Sequence, residues 1–127
     1  SHQMPLYPGT GAAHETGVGN VVNVPLPDGC GSAAFRAAWE AHVFPRVDAS
    51  KPELMLISAG FDAHADDPLA GMELREDDFA WVTGKICDLA DTHCQGRVVS
   101  ALEGGYDLEA LGRSARAHVD VLKERAR

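Results

Sequence analysis

The chain has 127 residues and a formal net charge of -8, from 11 Lys and Arg against 19 Asp and Glu. That length suits one modest domain. So acidic a balance argues against a surface that grips the nucleic-acid backbone by itself, because phosphate contacts need clustered cations.

In chain order, the first twenty residues, SHQMPLYPGTGAAHETGVGN, are dense in Gly and Pro and read as a long loop. The run VVNVPL (21–26) reads as a strand closed by the turn formers Pro27, Asp28 and Gly29. Ser32 is the expected N-cap of a helix whose apolar face carries Phe35, Ala38, Trp39, His42 and Val43 and which Pro45 should break.

The continuous apolar run ELMLISAG (53–60) predicts a strand buried on both faces. The acidic loop FDAHADDPLAGMELRED follows, with Asp77 or Asp78 available to cap a helix bearing Phe79, Val82, Ile86 and Leu89. RVVSAL (97–102) is the third strand. It runs into Glu103-Gly104-Gly105-Tyr106 and a helix from near Asp107 with Leu108, Leu111, Ala115, Val119 and Leu122 on one face.

This order, loop-β-α-β-α-β-α over 1–20 and 21–127, specifies an α/β fold with a parallel sheet and right-handed crossovers. Ligands in such sheets bind beyond the carboxyl ends of the strands. The loops after Gly60 and around Tyr106 both emerge there.

Three segments could carry chemistry. SAGFDAHADDPLAG (58–71) puts three aspartates and a histidine directly after a buried strand, where carboxylates can hold a cation or simply satisfy turn amides. In LEGGYDL, Gly104 and Gly105 allow a tight turn that presents Tyr106, either as a donor to a developing oxyanion or as a rim residue of the core. In PLYPGTG, prolines flank Leu6 and Tyr7, an arrangement that suits a channel wall or an Ω-loop packed on itself.

The histidines form no HExxH or HxH group. His42 and His118 are expected on helices at a surface or an interface, His93 at a helix end, and His14 and His64 in loops. Cys30, Cys87 and Cys94 form no CxxC pair and are expected as reduced thiols of a cytoplasmic protein. Neither a bilayer-length apolar run nor a signal-like N-terminus is present, so no membrane partner is expected.

Together, SHQMPLYPGTG, NVPLP, SAGFDAHADDPL and LEGGYDL resemble, in order and spacing, the C-terminal half of the histone deacetylase and acetylpolyamine amidohydrolase family. The resemblance implies the C-terminal half of an arginase-like, three-layer α/β/α domain. It implies zinc-dependent hydrolysis of acetyl-lysine or acetylpolyamine amides, in which zinc and a histidine activate water and a tyrosine stabilises the oxyanion.

Matched to the family's motifs, Asp67 is the zinc-ligand aspartate, Tyr106 the oxyanion-stabilising tyrosine, and Gly104 and Gly105 the turn before it. Tyr7 and Leu6 line the acyl-lysine channel. The family's catalytic histidines and its other two zinc ligands lie N-terminal to the matching segment, and so does the strand that helps hold a monovalent cation near His2 and Gln3. The zinc site is therefore expected to be incomplete and the isolated chain inactive. Two further expectations stand beside that one: a subunit of a split deacetylase, and a non-catalytic module for cationic or acetylated ligands. Half a sheet also leaves apolar surface open, which predicts a homo-oligomer or a missing N-terminal half as partner.

Overall fold

The computed structural model describes residues 1–126. Its main sheet has two parallel strands, β3 (Met55–Ala59) and β4 (Val98–Leu102), paired in register from Met55 with Val98 to Ala59 with Leu102. A separate parallel pair joins β1 (His2–Gln3) to β2 (Pro25–Leu26). The parallel α/β arrangement is as expected, but the three expected strands do not share one sheet, and β1 lies inside the expected opening loop. The expected strand over 21–26 shrinks to Pro25–Leu26, because Val21 and Val22 have no strand beside them and stay exposed.

The first helical segment is longer than expected. Helix α1 (Ser32–Ala38) passes through a π-helical turn (Trp39–Val43) into α2 (Phe44–Ser50), so Pro45 does not end it. The wider turn explains this: Phe44 N–H bonds Trp39 O, five residues back, and Pro45 falls in the first turn of α2, where its missing N–H matters little. Phe35, Trp39, Phe44 and Trp81 pack there as an aromatic cluster, with ring centroids 5.4–6.2 Å apart.

Helix α3 (Glu76–Cys94) packs on α4 (Leu108–Arg125), and both cover one face of β3–β4. Gly31 is the N-cap of α1 and Arg75 that of α3, rather than Ser32 and Asp77 or Asp78. Ser32 and Asp78 instead join the two helices. Fully buried Asp78 accepts from Ser32 Oγ at 2.6 Å, Arg36 Nε at 2.8 Å and Arg75 N–H at 3.0 Å. Asp107 caps α4 as expected, accepting from Ala110 N–H at 2.7 Å.

The buried line of α4 is Ala110, Ser114 and His118, flanked by Leu111 and Ala115, while Leu108 and Val119 remain exposed. Small residues on that line let α4 approach α3 closely. His118, expected at a surface or an interface, is buried within the fold between Thr83 of α3 and Ser100 of β4.

Strand β3 is buried on one face only. Met55 and Ala59 point into the core, whereas Leu56 is 73% exposed and its neighbour Val99 on β4 is 55% exposed. The helical layer that would cover this second face is not formed by the described residues. Among those residues, no helix is long and apolar enough to cross a membrane.

Candidate active site

The carboxyl ends of β3 and β4 stay side by side after the strands end. Glu103 N–H donates to Ala59 O at 3.0 Å, and Phe61 N–H donates to Gly104 O at 2.8 Å. These bonds lace the acidic loop to the Tyr106 loop. The glycines make the approach possible. Gly104 is buried against Asp62, so that a Cβ there would sit 3.0 Å from the carboxyl carbon. Gly105 has φ +135°, and a Cβ there would meet Leu111 Cδ1 at 2.9 Å.

Asp67, expected as the metal ligand, is buried and committed to backbone amides. One oxygen accepts from Leu69 N–H at 3.0 Å; the other accepts from Tyr106 N–H at 2.7 Å and Asp107 N–H at 3.1 Å. Burial pushes this carboxyl up, but those three amides and nearby His64 outweigh burial and hold it below its ordinary value.

Asp62 is the carboxylate left open. It lies three residues beyond the end of β3 and accepts only from its own amide among the described residues. Desolvation pushes it above its ordinary value, and the charges of Asp67 and Glu103 add to the rise. A cleft of about 430 Å³ opens beside it, lined also by Leu6, Ile57, Gly60, Phe61 and Phe79. Glu103 borders the same cleft and accepts from Ser58 Oγ at 2.8 Å.

The structure therefore brings Asp67, Gly104, Gly105 and Tyr106 into one contact network and places Leu6 at the cleft. Tyr106 is 59% exposed and its phenol has no hydrogen-bond partner among the described residues. Tyr7 is 95% exposed, and neither tyrosine lines the cleft.

His64 is a buried support under the acidic loop. Its ring stacks on Phe79, Nδ1 accepts from Asp66 N–H at 3.0 Å, and Nε2 faces Glu76 Oε1 at 3.3 Å. Arg113 then bridges Glu76 to Asp66. The sequence places Asp62 among the three aspartates of the acidic loop but does not single out Glu103. The available signal was position, since Glu103 directly follows β4 and Asp62 lies three residues past β3, at the edge where parallel sheets bind ligands.

A catalytic zinc takes three protein ligands and keeps a fourth position open. Among the described residues, no three His, Cys, Asp or Glu side chains are placed to hold a metal ion. These residues do not by themselves fit a zinc centre.

Comparison with known proteins agrees with the motifs. Residues 1–122 match the histone deacetylase domain. The chain is 44% identical over 118 residues to "Histone deacetylase 10, chloroplastic" of Oryza sativa subsp. japonica, covering 90% of this chain and 27% of that protein. It is 41% identical over 113 residues to "Probable deacetylase" of Archaeoglobus fulgidus, covering 86% of this chain and 32% of that one. The crystal structure of the HDA15 HD domain superposes with a TM-score of 0.88 at 37% identity, covering 95% of this chain and 35% of that chain. The chain thus spans between about a quarter and a third of these two curated relatives. It belongs to the histone deacetylase family.

Proposed function

We propose that this chain is the part of a zinc-dependent amide hydrolase that supplies the oxyanion-stabilising tyrosine, Tyr106, and a wall of the substrate channel from Tyr7, Leu6, Gly104 and Gly105. Its substrates are acetylated amines, either acetyl-lysine or acetylpolyamine. The observation that carries the reading is the lacing of the Tyr106 loop to the Asp62 loop, which leaves one phenol and one carboxylate uncommitted at the carboxyl edge of β3–β4.

In this reading Asp67 is a carboxylate offered to a metal beside Asp62: its amide bonds orient it, and the oxygen that accepts only from Leu69 N–H keeps a lone pair free, while Asp62 stays open to the cleft. The other ligands and the general base come from outside these residues, so the chain alone is inactive, and no metal-dependent step follows from it alone. The phenol of Tyr106 is free to donate a hydrogen bond to an oxyanion, an interaction of the kind that supplies large rate factors in acyl transfer. Three buried free thiols support a reducing compartment such as the cytoplasm.

The test is zinc content and hydrolysis of an acetyl-lysine peptide and an acetylated polyamine, for the chain alone and mixed with a polypeptide supplying the rest of a deacetylase domain. Zinc uptake and turnover are expected only in the mixture, with turnover lost in Tyr106→Phe. A mixture that stays metal-free and inert, or a Tyr106→Phe mixture with undiminished turnover, would sink the reading. Tight, salt-sensitive polyamine binding without turnover would favour a binding module instead.

A further inference from the structure

We infer that Arg113 is a positioning residue: its guanidinium, forked between Glu76 on α3 and Asp66 on the acidic loop, sets where that loop stands against α3 and α4. The inference rests on the reading of this loop, which carries Asp62 and Asp67, as part of an active site.

Arg113 lies seven residues after Tyr106, within the first two turns of α4, and does not line the cleft. Its Nε donates to Glu76 Oε1 and its Nη2 donates to Asp66 Oδ2 at 2.9 Å. The two acceptors belong to different elements, since Glu76 opens α3 and Asp66 stands directly before Asp67. Beneath them His64 is completely buried. Its Nδ1 accepts from Asp66 N–H at 3.0 Å, which puts the ring proton on Nε2, 3.3 Å from the same Glu76 oxygen that Arg113 holds. Asp66 is thus tied twice, by its amide to His64 and by its carboxylate to Arg113, and both ties end on Glu76. The closed ring Asp66–His64–Glu76–Arg113 joins the acidic loop to both helices.

A fork is what this ring needs. A guanidinium presents separate coplanar donors to two acceptors at once, whereas a lysine ammonium is a point charge with no fixed fork. Arg75 also carries a positive charge to Asp66, but its Nη1 lies 3.6 Å from Oδ1, beyond hydrogen-bond reach. Arg113, Asp66 and Glu76 are partly exposed, so their pairing adds little to global stability. Its effect falls on the local order of the loop.

The positional part is tested by amide exchange at Asp66 and Asp67 in the unmodified chain and three variants. Arg113→Lys should speed exchange at both by about tenfold, leaving mid-α3 amides within about twofold. Asp66→Asn, which removes the loop end of the fork, should do the same. Arg116→Lys, the same change further along α4 at a residue paired with Asp120, should leave both amides unchanged. Unprotected amides in the unmodified chain, or full protection kept in Arg113→Lys or in Asp66→Asn, overturns the inference. So does exchange that rises equally in mid-α3, which marks a global loss of stability.

The functional part is read in the assembled, active domain at equal zinc content. Arg113→Lys should lower kcat about fivefold or more with KM within about threefold, and an unchanged kcat overturns the positioning role. If Tyr106→Phe leaves turnover undiminished in the same assembly, the catalytic reading fails, and amide exchange still decides whether Arg113 holds the loop.

Discussion

The imidazole of His118 is shared between two hydroxyls: Nε2 lies 2.8 Å from Ser100 Oγ on β4 and Nδ1 lies 2.7 Å from Thr83 Oγ1 on α3. Thr83 already donates to Phe79 O at 2.6 Å, so it accepts from His118, which sets the proton on Nδ1 and leaves Nε2 to accept from Ser100. The ring is neutral, joins three elements, and has both nitrogens used.

Burial lowers the His118 pKa below its ordinary value of 6.5. A histidine depressed in the folded state loses stability as pH falls, because the unfolded chain takes the proton first. Stability should be complete above about 6.5 and decline below it. Urea unfolding across this range should show that decline, and His118→Gln should remove its share of it while costing about 1–3 kcal/mol at neutral pH. An unchanged slope in the variant would show that another group is responsible.

A second pH effect has the opposite kind of group. The Arg113 guanidinium beside Glu76 holds that carboxyl at about 2, against an ordinary value of 4.5. Its contribution is therefore present above about 4.5 and disappears as pH falls toward 2. Both side chains are partly exposed, so Glu76→Gln should cost only about 1 kcal/mol at neutral pH, with a shallower acid limb in denaturant titrations.

Asp78 should be the more sensitive carboxylate, because removing it leaves Ser32, Arg36 and the Arg75 amide without their common acceptor. Asp78→Ala is expected to lower the unfolding free energy by roughly 3 kcal/mol. Equilibrium denaturation checks this, and a loss below about 1 kcal/mol would mean water replaces the carboxylate.

The glycine pair predicts a graded response. Gly105→Ala meets both a positive φ and two side-chain contacts, and should cost about 2 kcal/mol. Gly104→Ala meets only the Asp62 carboxyl, which can rotate, so it should cost less stability while displacing that carboxylate. Chemical denaturation of the two variants side by side gives the ranking.

The uncovered sheet face predicts self-association of the isolated chain. Leu56 and Val99 lie opposite each other in register and in solvent, and exposed apolar patches favour contact between copies. Light scattering should report a mass above the monomer that rises with salt, as the repulsion from a charge of -8 is screened. Leu56→Lys should shift the chain toward monomer.

Much of the fold was legible because it is written in local period and punctuation. Residues 97–102 gave a strand that differs from Val98–Leu102 by one residue, and Asp107 announced the start of α4. The π-helical turn at Trp39–Val43 was not legible, since Pro45 carries the same local signal whether it ends a helix or opens a new turn. The burial of His118 and the amide bonds of Asp67 were not legible for another reason. Their partners, 35 and 39 residues distant, are brought to them only by tertiary packing. A buried aspartate that serves amides and one that faces a cleft have the same letter, so Asp62 and Asp67 became distinguishable only once their surroundings were visible.

Gly71 gives the acidic loop an uneven mutational profile. Its amide donates to Gln3 Oε1 at 2.7 Å, its carbonyl accepts from Gly29 N–H at 2.7 Å, and any Cβ would run into Asp28 Oδ1. Asp28 is itself held by Gln3 Nε2 at 3.1 Å. Saturation of this loop should therefore show position 71 as less tolerant than exposed Leu69, two residues away, because any side chain there must turn Asp28 away from Gln3. The clearance of a single methyl group there couples the turn after β2 to the loop that carries Asp62, although neither Gly71 nor Asp28 faces the cleft.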